Sequence, residues 1–289
     1  MYYTFSEIIF RMGIFTVSPV QFPAKVPSSY LSVGPLIFFV AFLPALTCYF
    51  CIGSTLILQR DIISNYSLSN CPHVKSALPP ISYSIGVWEP QKFVWIIALM
   101  LHLPSRLLFT MTIPQIYLPG LGQYILYTSG TIEALGLICV SVFNVDSIIG
   151  FHAHAGFFVI WWAAAMVSMG IIIHLQRLIG HNHSSSYVLR MWRLKIGIMA
   201  TFFAASAGCS IFYPISQNYC SVTAFTIFCL CEYSVVGLNA AYWGVYLSEF
   251  GRLYDGFEIT AVKLDKSTSD EPGTRPKSQS GSQILEISR

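Results

Sequence analysis

The sequence predicts an all-α fold: a polytopic membrane helix bundle of six transmembrane helices, with both termini cytosolic. Three observations predict it. Apolar residues make up 54% of the 289 residues and charged residues only 10%, against about 25% charged in an ordinary soluble domain. The mean hydropathy is +0.61, and so few charges cannot cover a chain of this size with a solvated surface. Apolar runs that meet or approach the length needed to cross the hydrocarbon core, about 20 residues, recur six times.

The opening segment, 1–34, lacks the ordered basic region, apolar run and cleavage site of a signal peptide. It reads as a cytosolic N-terminal segment whose first residues, Met1–Phe15, are partly amphipathic. The membrane domain is expected over 35–250. Its spans run from about Pro35 to Leu58, Phe93 to Met111, Gln123 to Val142, Phe151 to His174, Leu194 to Tyr213 and Val222 to about Tyr246. The second is the least apolar, with His102, Pro104, Ser105 and Arg106. It stays a span because the nine residues Phe93 to Leu101 are too long an apolar run to leave in water. The tail, 251–289, is rich in Ser, Gly, Pro, Lys and Glu beyond Lys266, a composition that favours disorder.

Lys and Arg in short loops set orientation. The connection between spans four and five carries Arg177, Arg190, Arg193 and Lys195, so it is placed in the cytosol. The loops after spans three and five carry only Asp146 and no charge, respectively, and are placed in the lumen. The loop Gln59–Gln91 is also lumenal, with Arg60 and Lys75 as counter-signals. No basic stripe interleaved with exposed aromatics is present, so no nucleic-acid partner is expected.

Six of the eight cysteines lie inside spans and read as small packing residues. The other two, Cys71 and Cys220, fall in the lumenal loops. An oxidising lumen would let them pair, although the sequence leaves their geometry open. Asn65-Tyr66-Ser67 is a lumenal glycosylation sequon close to the membrane, whereas Asn182-His183-Ser184 falls on the cytosolic side. No H-E-x-x-H pair, G-x-S-x-G elbow or phosphate-binding glycine loop appears. No metal or cofactor is expected.

Ionisable groups at mid-bilayer cost about 2.5–3.5 kcal/mol each by the lower estimates, so their presence needs a reason. His102 and Arg106, four apart, share a face of span two, with the helix-kinking Pro104 between them. Glu133 is central in span three. Glu232 is central in span six, with Asn239 two turns on. At 1.5 Å per residue, His102 and Glu232 lie ~14 and ~15 Å below the lumenal ends of their helices, and Glu133 ~15 Å from the cytosolic end of its own. All converge near the midplane, where Arg106 could pair with one carboxylate. Two readings stay open: an ion-pair lock for the bundle, or a polar cavity that receives a lipid head group or moves protons on it. At the lumenal start of span four, His152 and His154 point about 200° apart on the helix. They read as interfacial residues, with His152 as the candidate general base. His174, His181 and His183 lie on the other side and read as solvated.

Several stretches carry a resemblance. One is Leu78-Pro79-Pro80-Ile81-Ser82-Tyr83-Ser84-Ile85-Gly86, leading into Glu89-Pro90-Gln91-Lys92-Phe93-Val94-Trp95 and then His102 and Arg106. Another is Tyr219-Cys220, Thr226-Ile227-Phe228, Glu232-Tyr233, Val235-Val236, Asn239, Ala241 and Phe250-Gly251. In order and spacing these resemble the family of post-GPI attachment to proteins factor 2. They also resemble its wider superfamily, which includes damage-regulated autophagy modulators and a yeast GPI-lipid remodelling protein. The likeness runs from the first span to Gly251 and does not cover the tail. Cys71, His102, Arg106, Glu133, His152, Cys220, Glu232 and Asn239 match the family's pattern. Ala153, after His152, departs from it where the family has an acidic residue, which weakens a His–acid pair at that interface.

The resemblance implies a multi-pass protein of the Golgi membrane, with the endoplasmic reticulum as the other compartment. It implies fatty-acid remodelling of GPI anchors after attachment, at the reacylation of a lyso-GPI lipid, as an acyltransferase or a subunit of one. Membrane lipids and GPI-anchored proteins would be its partners. The alternatives are a non-catalytic membrane regulator of trafficking or autophagy, as in other superfamily branches, and, more remotely, a metal-dependent lipid hydrolase.

Overall fold

A computed structural model describes residues 15–20, 30–65, 67–68, 71–75, 78–117, 120–143, 145, 148–180, 186–253 and 256–261. The chain divides into two compact units. One, Val17–Glu258, holds every described helix. The other comprises Met1–Thr16 and Ile259–Arg289, of which only strand residues 15–16 and 259–261 are described. Most of the opening segment, the tail beyond residue 261, and the sequon Asn182-His183-Ser184 with His181 lie outside the described residues.

Among the described residues, six helices are long and apolar enough to span a membrane. They are α1 (Val33–Leu58), α4 (Gln91–Thr112, continued as a 3₁₀ turn to Ile116), α5 (Leu121–Val142), α6 (Ile148–Gly180), α7 (Ser186–Tyr219) and α8 (Val222–Leu253). Two short helices, α2 (Arg60–Asn65) and α3 (Ile81–Gly86), lie between α1 and α4. The chain belongs in lipid: Phe50, Ile57, Phe93, Ile149 and Leu178 are exposed on the outside of the bundle, where water would oppose them.

The six spans match the sequence reading in number and order. Their ends do not. With 33, 34 and 32 residues, α6, α7 and α8 would each run about 50 Å, well past a hydrocarbon core of about 30 Å. Arg177, Arg190 and Arg193 therefore lie on helices, not in a long loop. Lys195 is a larger correction, because it is buried at 1% exposure inside the bundle. Small strands were not expected either. β1 (Phe15–Val20) and β2 (Tyr30–Ser32) precede α1, β3 (Ser67–Leu68) and β4 (Cys71–Lys75) form a hairpin after α2, and β5 (Gly256–Ala261) follows α8. β2 pairs antiparallel with β5, Leu31 opposite Phe257.

The helices pack in sequence order, each against the next, and α8 closes the ring against α1. Glycine makes that closure possible. Gly237, Gly244 and Gly251 recur every seven residues on α8, so they share one face. A Cβ on them would run into Tyr49, Phe42 and Ile37 of α1, respectively. On the facing side, Phe109, Trp161, Met169, Phe202, Tyr242 and Leu247 fill the core.

One irregularity in α1 positions the site. Between Phe38 and Phe42 the helix widens into a π turn, and Leu43 N–H reaches back to Phe38 O. The next acceptor, Phe39 O, would need Pro44 as its π-type donor. Proline has no N–H, so this carbonyl is left for a partner outside its own helix.

Candidate functional site

The segment between α1 and α4 folds back onto α8 and is held there by several contacts. Glu232 Oε2 accepts from Ile81 N–H at 2.8 Å, and Oε1 accepts from Ser82 Oγ–H at 2.6 Å. Tyr233 donates its hydroxyl to Pro79 O, and Tyr83 its hydroxyl to Val145 O at 3.5 Å. A disulfide joins Cys71 to Cys220, whose Cα atoms are 5.5 Å apart. Cys220 takes a left-handed backbone, φ 50°, in the short turn between α7 and α8. The pairing left open on sequence is thus formed. The other six cysteines are free. Asn65 ends α2, but its side chain and Tyr66 lie outside the described residues.

Beneath this folded-back segment lies a cavity of about 110 Å³ within the bundle. Its floor is ionic. Arg106 Nη2 sits 2.6 Å from Glu133 Oε2, with both side chains about 95% buried. Asn239 Nδ2 donates to Glu133 Oε1 at 3.4 Å. The guanidinium stacks on the ring of Trp243, 3.8 Å from its centroid, a geometry that favours a desolvated cation. His102 is buried too, and its Nδ1 is 3.0 Å from Phe39 O, the carbonyl released by the π turn. A carbonyl only accepts, so Nδ1 carries the hydrogen.

The depth arithmetic is partly right. His102, Arg106, Glu133, Glu232 and Asn239 all line this one cavity. Arg106 takes Glu133 as its carboxylate. Glu232 belongs instead to the α3 segment, because its oxygens are committed to Ile81 and Ser82. His102 takes its carbonyl from α1, at Phe39.

His152 is not brought to the cavity. It is exposed, edge-on to Phe151. His154, two residues on, faces inward and lines both this cavity and a second one of about 220 Å³. Of the two histidines on opposite faces, the structure turns His154 inward and leaves His152, the candidate base, on the exposed side. His174 is exposed.

Sequence reasoning passed over four features. Trp243, which carries the Arg106 guanidinium, lies eleven residues from Glu232, on the same face as Asn239. Ser82 gave no signal, because its role depends on a loop meeting α8. Cys48 and Cys51 have C-x-x-C spacing on α1 and are both buried. Among the described residues, however, no group of three His, Cys, Asp or Glu side chains is placed to hold a metal. The fourth is a second buried ion pair. Lys195 on α7 bonds Glu249 on α8 and, at 2.5 Å, Gln176 Oε1 on α6.

Post-GPI attachment to proteins factor 2 of Drosophila melanogaster is 29% identical over 194 residues, covering 60% of this chain and 71% of that protein. The protein of the same name from Drosophila pseudoobscura pseudoobscura is 28% identical over 220 residues, covering 68% of this chain and 80% of its own. No solved structure gives a significant match. The family model for the Frag1/DRAM/Sfk1/Cwh43P N-terminal domain matches residues 33–253, from the first turn of α1 to the last of α8, and the chain belongs to that family.

Proposed function

We propose that this chain acts in lipid remodelling of GPI anchors already joined to protein, at the step where a lyso-GPI lipid regains a fatty acid. We place it in the Golgi membrane, with the endoplasmic reticulum as the other compartment, and its disulfide end in the lumen. The observation that carries the reading is the cavity beneath the α3 segment. It is apolar-walled and polar-floored, and it lies on the disulfide side of the Arg106–Glu133 pair. A disulfide belongs in an oxidising compartment, and a GPI anchor lies in the lumenal leaflet. The names of the two Drosophila relatives support the pathway.

The chemistry asked of the site is modest. Acyl transfer to a lipid hydroxyl needs a proton acceptor and a stabiliser for the oxyanion. A histidine at the cavity wall can supply the first. Arg106 is stacked and paired, and it can serve the second only by sharing its charge with Glu133.

The test is lipid mass spectrometry of GPI anchors from cells with and without the gene. Loss of the gene should leave lyso anchors or unsaturated chains, and should release GPI proteins from the surface. Unchanged anchors would rule the reading out.

One observation favours a second reading, a non-catalytic membrane regulator. Arg106, Glu133, Glu232 and His102 Nδ1 are all engaged by protein partners, as in a rigid scaffold. Alanine at His102, Glu133, His154 and Glu232, in chains that still reach the membrane, separates the two. Full rescue of anchor remodelling selects the regulator.

A further inference from the structure

The two cavities meet. Ser82, His154, Phe158 and Glu232 line both. The larger one is walled mainly by apolar and aromatic groups, among them Phe151, Phe158, Tyr213, Phe225 and Phe228. Phe151 stacks on Tyr213 at 5.6 Å, and Tyr213 lies 5.0 Å from Phe228. The smaller one leads down to the ionic floor.

Three polar groups stand at the junction, and two are committed. Ser82 gives its hydroxyl hydrogen to Glu232, whose carboxylate also holds Ile81 N–H. His154 differs. Its Nδ1 is 3.2 Å from Phe143 O, at the end of α5, with Val140 O as a further carbonyl neighbour. Phe143 O can only accept, so Nδ1 holds the hydrogen, and a neutral ring then carries its lone pair at Nε2. A carbonyl partner that fixes the tautomer is how an imidazole is prepared to receive a proton.

We propose that His154 is the proton acceptor of the acyl-transfer step, acting at the junction of the two cavities, and that Arg106–Glu133 is the lock beneath it. The assignment rests on the remodelling reading above. An acceptor lipid would lay its chain in the larger cavity and present its free hydroxyl to His154 Nε2. As the hydroxyl oxygen attacks the carbonyl carbon of an acyl ester or thioester, its proton passes to Nε2. The bond from that carbon to the leaving oxygen or sulfur then breaks, and the leaving atom takes the proton back. A new ester and a free alcohol or thiol result, and His154 ends neutral.

The decisive variant is His154→Gln. Its amide stays polar and can still donate hydrogen bonds, but it has no basic nitrogen. In cells lacking the endogenous chain, where the wild type restores anchor remodelling, His154→Gln should reach the same membrane at the same level. Its remodelling rate should fall about 10²-fold or more. His152→Gln should remodel normally. Free imidazole should partly restore a His154→Ala chain, which a merely structural histidine would not allow. Normal remodelling by His154→Gln overturns the assignment.

A second measurement stands apart from the pathway. It uses the purified full-length chain in nanodiscs, with fluorescent lysophosphatidylinositol and its 2-deoxy analogue as probes. The wild type should prefer the hydroxylated lipid about tenfold, and His154→Phe should lose that preference while still binding the deoxy lipid. An absent preference in the wild type, or a retained one in His154→Phe, overturns the assignment. Failure of the remodelling reading shows differently, as normal anchors in cells without the chain.

Discussion

Among the described residues, two ion pairs lie inside this bundle, and they differ in what surrounds them. Arg106–Glu133 joins α4 to α5 and forms the floor of a cavity, with Trp243 and Asn239 of α8 closing round it. Lys195–Glu249 joins α7 to α8, is shared with Gln176 of α6, and lies among packed side chains such as Tyr246. Neither residue of that pair lines either cavity. Charge burial alone therefore does not mark a site. Removing ions from water is costly in both places, but of the two pairs Arg106–Glu133 is the one that borders the cavities described above.

The largest effects should come from breaking each pair singly. Arg106→Leu and Glu133→Leu should each cost about 3–5 kcal/mol, because each strands a buried charge. Thermal unfolding in detergent would read this as a marked fall in Tm. Lys195→Met should lower Tm by less, because the Glu249 side chain that it leaves behind is 17% exposed. The double variants then separate the two regions. Lys195→Met with Glu249→Met should regain most of the lost stability and remodel anchors normally. Arg106→Leu with Glu133→Leu should regain stability but not remodelling. If both doubles remodel equally well, the two pairs are equivalent locks and the contrast drawn here is wrong.

The disulfide should matter next. It closes a separation of 149 residues, and removing such a link typically costs about 2–4 kcal/mol. Cys71→Ser and Cys220→Ser should each lower Tm. Since the α3 segment would be held less firmly over the cavity, remodelling should fall with it. Maleimide labelling of the remaining thiol checks that the bond is absent.

A smaller change tests one end of the cavity alone. Ser82→Ala removes one of the two bonds that Glu232 accepts from the α3 segment, and a bond to a charged group is worth about 1.5–3 kcal/mol. Stability should fall modestly. Remodelling should fall more than in Ser248→Ala, which loses only a bond to a carbonyl of its own helix.

The helices were legible because each is a run of apolar residues that nothing but lipid can accept. Their ends were not. The stretch Tyr187 to Lys195 reads locally as a basic loop, and the partner that draws Lys195 into the bundle, Glu249, is 54 positions away. Arg106–Glu133 was legible for a simple reason: depth follows from counting along helices at a fixed rise. The true partner of Glu232 lies in the α3 segment, between spans, where no fixed rise assigns a depth. The choice between His152 and His154 depended on the rotation of α6, which its packing along α5 sets and spacing alone does not. The β2–β5 pairing involves three residues per strand, too short a pattern to register.

The widened turn in α1 makes Pro44 and His102 rivals by proxy. An alanine in place of Pro44 would supply an amide hydrogen to compete with the imidazole for Phe39 O, and the helix could tighten as His102 lost its anchor. A substitution that leaves every cavity charge untouched would then loosen the ring beside Arg106. Rigidity at the floor of this cavity is therefore set partly by a missing hydrogen on a neighbouring helix.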